Sequence, residues 1–110
     1  MASEESFVDY VCGQIAAAGE ISRRKMFGEF GIYCDGKIVG LVCDNMFFLK
    51  ITDAGRSLLQ NPTEAPPYAG AKTYFLMENL EDTAFLAGLV AQTARALPEP
   101  KPKRPKQQKK

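Results

Sequence analysis

Histidine is absent from this 110-residue chain, cysteine occurs only three times, and no run of about 18 apolar residues is found anywhere in it. Each absence excludes something. Without histidine, and with no two cysteines close in sequence, a zinc site has no ligand set to build on. Hydrolytic or transfer chemistry also loses its commonest base, and Asp/Glu pairs such as Glu81-Asp82 are better explained as helix-start charges. No catalytic, cofactor-binding or metal-binding residue is therefore assigned, and an enzyme is the least supported class. Cys34 as a nucleophile would need a neighbouring cation, for which Lys37 is the local candidate. An odd cysteine count fits a reducing compartment, and Cys12, Cys34 and Cys43 read as small buried apolar residues. With no membrane-length run and no basic-then-apolar leader, the expectation is a soluble, cytoplasmic protein.

What is present is the composition of one ordinary domain, 45% hydrophobic and 25% charged. The net charge of +1 hides a division. Residues 1–97 carry 8 Lys/Arg against 12 Asp/Glu, and residues 98–110 carry 6 against 1. The reading is a mildly acidic folded domain over 1–97 and a basic tail over 98–110. The tail has prolines at 98, 100, 102 and 105 and no other apolar side chain, so it favours an extended polyproline-like chain.

The chain is organised around Met26 to Ile51. Asp35-Gly36 and Asp44-Asn45 cut this stretch into strand-length apolar runs, and Asp-Gly is a strong hairpin signal. A two-residue turn at Asp35-Gly36 pairs Cys34 with Lys37, Tyr33 with Ile38 and Ile32 with Val39. Alternation then places Phe30, Ile32, Val39, Leu41 and Cys43 on one face, with Tyr33, Ile38 and Val42 on the other. A second turn at Asp44-Asn45 adds Phe47, Leu49 and Ile51 to that second set. Both faces come out apolar, which calls for helices on both sides or a partner chain. Cys34 and Cys43 share a face in this register, but about 20 Å apart, beyond disulfide reach.

Flanking elements complete an α+β architecture: a two-layer sandwich of about five antiparallel strands packed with N- and C-terminal helices. The first helix spans about Glu4–Ala18, with Ser3 as cap and Gly19 at its end, and its stripe of Phe7, Val8, Val11, Cys12 and Ile15 covers the sheet. Thr52 caps a short helix to Leu59. Residues 61–72 are a loop by composition, with Tyr68 on a stiff Pro66-Pro67 base and its ring packed down on the core. Thr73–Glu78 reads as a strand. The last helix runs from Asn79 to about Leu97 and buries Phe85, Leu86, Leu89, Val90, Thr93 and Leu97.

Candidate contact residues are cationic. Arg23, Arg24 and Lys25 are consecutive, but on a strand Arg24 points opposite to the other two, so they do not form one positive surface. One reading is a solvated sheet edge with an arginine set against an acidic partner. The other is an anion or nucleic-acid contact made by Arg24 with Lys50 or Lys72. In the tail, Lys101, Lys103, Arg104 and Lys106 form either an electrostatic arm for weak, nonspecific nucleic-acid binding or a solubilising extension.

Arg24-Lys25-Met26-Phe27-Gly28, followed by Gly31-Ile32-Tyr33, by Asp35-Gly36 and then by Phe48-Leu49-Lys50, resembles the N-terminal domain of the TfoX/Sxy family. The resemblance covers about residues 5–97. Its most specific part is the segment with Met26, Phe27 and Gly28 together with Gly31, Tyr33 and Gly36. Glu29 departs from the pattern, standing where the family usually has a second glycine. The resemblance implies a two-layer α+β fold and a role in regulating natural competence and DNA uptake, as a coactivator beside a DNA-binding transcription factor. The family's competence regulators carry a second, C-terminal domain where this chain has its thirteen tail residues. Two functions follow as expectations. One is a non-enzymatic regulatory module that binds a protein partner, such as a transcription factor or a second copy of itself. The other is a nucleic-acid-binding accessory protein that uses the basic tail.

Overall fold

A computed structural model describes residues 3–26 and 29–98 of the chain. Phe27, Gly28 and the tail cations Lys101, Lys103, Arg104 and Lys106 lie outside the described residues.

Among the described residues, six strands form one open antiparallel sheet: β1 (Ile21–Met26), β2 (Glu29–Cys34), β3 (Lys37–Cys43), β4 (Met46–Leu49), β5 (Thr63–Ala65) and β6 (Tyr74–Met77), in the spatial order β1-β2-β3-β4-β6-β5. Three α-helices accompany it: α1 (Glu5–Gln14), α2 (Asp53–Leu58) and α3 (Thr83–Ala96). The α+β expectation holds, with one strand more than expected. β5 lies in the stretch read as loop, bracketed by Pro62 and Pro66, which lack the N–H that a longer ladder needs. Arg56 of α2 holds it, donating to Glu64 at 2.7 Å while stacking over the Phe75 ring at 5.5 Å.

Both hairpins turn as the sequence indicates. Asp35 and Gly36 have φ of 52° and 83°, Asp44 and Asn45 of 52° and 56°, the double positive φ of a type I′ turn. Cys34 pairs with Lys37 and Tyr33 with Ile38, but Ile32 pairs with Gly40 rather than Val39. A bulge absorbs Val39 and inverts the faces beyond it. Phe30 and Ile32 therefore share their side with Val42, which pairs with Phe47, and Leu41 and Cys43 go to the opposite side. The second turn keeps Phe47 and Leu49 with Val42. Cys34 and Cys43 end on opposite faces, and all three cysteines are free.

The described helices cover one face only, so of the two alternatives for the second apolar face, helices on both sides or a partner chain, the first is overturned. Val8, Val11 and Ile15 from the first helical segment and Leu86, Leu89 and Val90 from α3 close a core with Ile32, Val39, Val42, Phe47, Leu49 and Phe75, all nearly or fully buried. Removing such side chains from water supplies roughly 1.5–3 kcal/mol each and is the main stabilising term.

Four local expectations are corrected. α1 ends at Gln14 and continues as a 3-10 turn, Ala16–Ala18, and its cap is Glu4, without a side-chain hydrogen bond. Ser3 is instead held by Glu29. α3 starts four residues later than Asn79, where Asp82 accepts from the Phe85 N–H at 3.2 Å. Phe85 is 42% exposed, and Ala87 and Ala94 take up the buried stripe in its place. Thr52 does cap α2, accepting from the Gly55 N–H at 3.0 Å.

Lys37 caps the far end of α3, donating to the carbonyls of Ala94 at 2.9 Å and Leu97 at 3.1 Å, where a cation suits the helix dipole. Gly88, exposed in the interior of α3, has open space where a Cβ would sit. Gly88→Ala is expected to raise stability by about 0.5–1 kcal/mol, seen as a thermal midpoint a few degrees higher; no rise would contradict the open surroundings of this position.

Candidate functional site

The helix-free face of the sheet is where polar and apolar groups converge. Arg24, Met26, Glu29, Gly31, Tyr33, Ile38, Leu41, Cys43, Phe48 and Tyr74 occupy it by register. The segment after β5 brings Pro67 and Tyr68 into the lining of this face. Pro67 is buried there, while Tyr68 next to it is 61% exposed, which corrects the expectation of a ring packed on the core. The Gly70 turn (φ 86°), closed by the Ala71 N–H on the Tyr68 carbonyl at 3.1 Å, holds Tyr68 outward.

Tyr68 divides the face into two hollows. The first, about 590 Å³, is an apolar groove of Met26, Leu41, Cys43 and Pro67 with the carboxylates of Glu29 and Asp44 at one end. The second, about 640 Å³, is lined by Lys50, Lys72, Thr73 and Tyr74 with the Gly70-Ala71 backbone.

The predicted cations separate accordingly. Arg23 lies on the helix side, in an ion pair with Asp9 and 5.8 Å from the Phe30 ring centre. This is the arginine set against an acidic partner on an edge strand. Lys25, opposite Phe30, lies on the same side, and Arg24, opposite Gly31, lies on the helix-free face. The sheet does not bring Arg24 to Lys50: β1 and β4 are three strand spacings apart, about 14 Å. It does bring Lys50 and Lys72 to one hollow. Of the motif residues, Met26 packs against Gly31, Tyr33 flanks the apolar face and Gly36 completes the first turn.

The cysteines are chemically quiet. Burial raises all three thiols, with the carboxylates of Glu29 and Asp44 pushing Cys43 further, up to about 11. At Cys34, burial and Asp35 outweigh Lys37, so the local cation does not activate it. Among the described residues, no three His, Cys, Asp or Glu side chains are grouped to hold a metal, and no helix is long and apolar enough to cross a membrane.

Sequence reasoning missed Glu29 and the outward Tyr68. The signal for Tyr68 was present, since an aromatic on a Pro-Pro base before a glycine turn has few apolar neighbours to bury it. Glu29 gave none, because its partners Ser3 and Asp44 are 26 and 15 residues away.

An uncharacterized 12.7 kDa protein in the trpE 5′ region of Spirochaeta aurantia is 40% identical over 107 residues, 96% of this chain and 93% of that protein. The profile of the TfoX N-terminal domain matches residues 13–97. The chain belongs to the TfoX N-terminal domain family.

Proposed function

We propose that this protein is a non-enzymatic regulatory module that works by binding a protein partner on the helix-free face of its sheet, as a transcriptional coactivator of the kind the TfoX/Sxy resemblance suggests. The observation that carries this reading is the apolar groove. Met26 and Leu41 remain part-exposed on a sheet face that no described helix covers, beside the exposed ring of Tyr68 and, at the strand end, the exposed side chain of Met46. Small domains seldom leave a contiguous apolar surface open without a binding use. The acidic end at Glu29 and Asp44 adds a directional element that favours a basic complement.

The test is genetic and biophysical. Leu41→Asp places a charge in the groove without touching the helix side. In the source organism, the transcripts altered by deleting the gene should be altered in the same direction by Leu41→Asp, while the purified variant keeps the wild-type far-UV spectrum. A folded Leu41→Asp protein that fully replaces the wild type would rule out the groove, and a deletion with no transcript changes would rule out regulation.

A second reading, a nucleic-acid-binding accessory role for the tail, is favoured by one observation: six of the last thirteen residues are Lys or Arg.

A further inference from the structure

Outside the apolar groove, the second hollow is cationic. Lys50 and Lys72 both line this one space, and among the described residues no carboxylate lines it and neither lysine has an ion pair. Like charges that share a hollow repel unless an anion enters. The third component is Tyr68. A ring left 61% exposed on a proline base and a glycine turn contributes little to the core, but it is a rigid flat surface already in position. Tyr74 stands behind it, close enough that Tyr68 contributes to the upward push on its phenol, after burial. Thr73 adds a hydroxyl, and the volume of about 640 Å³ is that of a small-molecule site.

A ligand that satisfies both the cations and the ring must carry negative charge and a flat aromatic system in one molecule. Phosphate esters of heterocyclic bases have that chemistry, and stacking on an exposed aromatic flanked by lysines is how single strands are held without sequence preference. We propose that this hollow binds a nucleotide unit, with its base on Tyr68 and its phosphate between Lys50 and Lys72. The unit has two sources, a free mononucleotide or one residue of a single strand. The site lies within the folded domain and is independent of the basic tail.

The experiment uses the full chain and a fluorescein-labelled thymidylate strand, followed by anisotropy across a salt series, with thymidine monophosphate as competitor. Tyr68→Leu is expected to weaken strand binding about tenfold at unchanged salt slope. Lys50→Ala/Lys72→Ala is expected to weaken it by a similar factor and to reduce the slope by about 0.7, the share of the one phosphate no longer neutralised. Both variants should melt like the wild type, because the three side chains are exposed or half-buried. Displacement by thymidine monophosphate would identify the free nucleotide as sufficient; strand binding that responds to both variants but resists the competitor would identify the strand. Wild-type affinity in both variants would assign binding to the tail and overturn the proposal. So would a wild-type chain that binds neither probe.

Discussion

Gly40→Ala is expected to destabilise the protein by about 3 kcal/mol or more, a fall of roughly 15 °C in the thermal midpoint of a domain this size. Gly40 lies opposite Leu49 where β3 meets β4. A Cβ there would overlap the Phe48 carbonyl oxygen and come within 3.2 Å of both the Leu49 Cα and the Phe47 ring. Two of these neighbours are backbone, so no side-chain rotation relieves the clash. Nor can β4 simply retreat. It is clamped between β3 and β6 and carries Phe47, Phe48 and Leu49, at most 2% exposed. Gly31→Ala is the internal control: its Cβ would also overlap a neighbour, but that neighbour is the terminal methyl of Met26, which can swing away. Its effect should stay within about 1 kcal/mol. Denaturant titration of both variants decides between the two costs, and similar destabilisation of the pair would mean that the backbone of β4 does not make Gly40 obligatory.

That glycine also shows where the sequence stops being legible. The two turns could be read because Asp-Gly and Asp-Asn state their backbone conformation locally, and the pairings next to them, Cys34–Lys37 and Cys43–Met46, followed. The bulge at Val39 could not. It coincides with a nonlocal contact, the close passage of the Phe48 carbonyl over Gly40, that no local pattern records, and a single inserted residue exchanged the faces of Leu41, Val42 and Cys43. β5 was hidden for a similar reason: three residues between prolines carry no periodicity, and the strand exists because β6 and Arg56 are there to hold it. Helix stripes were easier. Val8, Val11 and Ile15, and Leu86, Leu89 and Val90, declare their face by spacing alone.

The candidate site was legible in its chemistry more than in its geometry. Lys50 and Lys72 stood out as cations, yet whether Arg24 joined them depended on strand order, which no local pattern records. Strand order also decides that the apolar groove lies beside β2 and β3 while the cationic hollow lies at β6, with Tyr68 between them. One sheet face thus offers two adjacent surfaces of different chemistry.

Glu29→Ala is expected to cost about 2 kcal/mol, although the side chain is not part of the core. One carboxylate oxygen accepts from both the Ser3 N–H (3.0 Å) and the Ser3 hydroxyl (2.6 Å), and the other accepts from the Asp44 N–H (3.1 Å). Ser3 in turn accepts from the Asn45 N–H at 3.0 Å, and the Asn45 side chain accepts from the Glu4 N–H at 2.9 Å. A single carboxylate thus ties the start of the chain to the β3–β4 turn. Hydrogen bonds to a charged acceptor contribute about 1.5–3 kcal/mol each when enclosed, and the part-exposed setting reduces their sum. Ser3 is 8% exposed, so deleting its acceptor leaves a buried donor unsatisfied. Because the bonds form one connected set, Ser3→Ala and Glu29→Ala should not add: the double variant should be about 1 kcal/mol more stable than the two single losses predict. Amide exchange at Asp44 and Asn45 should quicken in either single variant. Strict additivity, with exchange at the turn unchanged, would mean that Glu29 acts only as a surface charge and that the N-terminal segment is held by α1 alone.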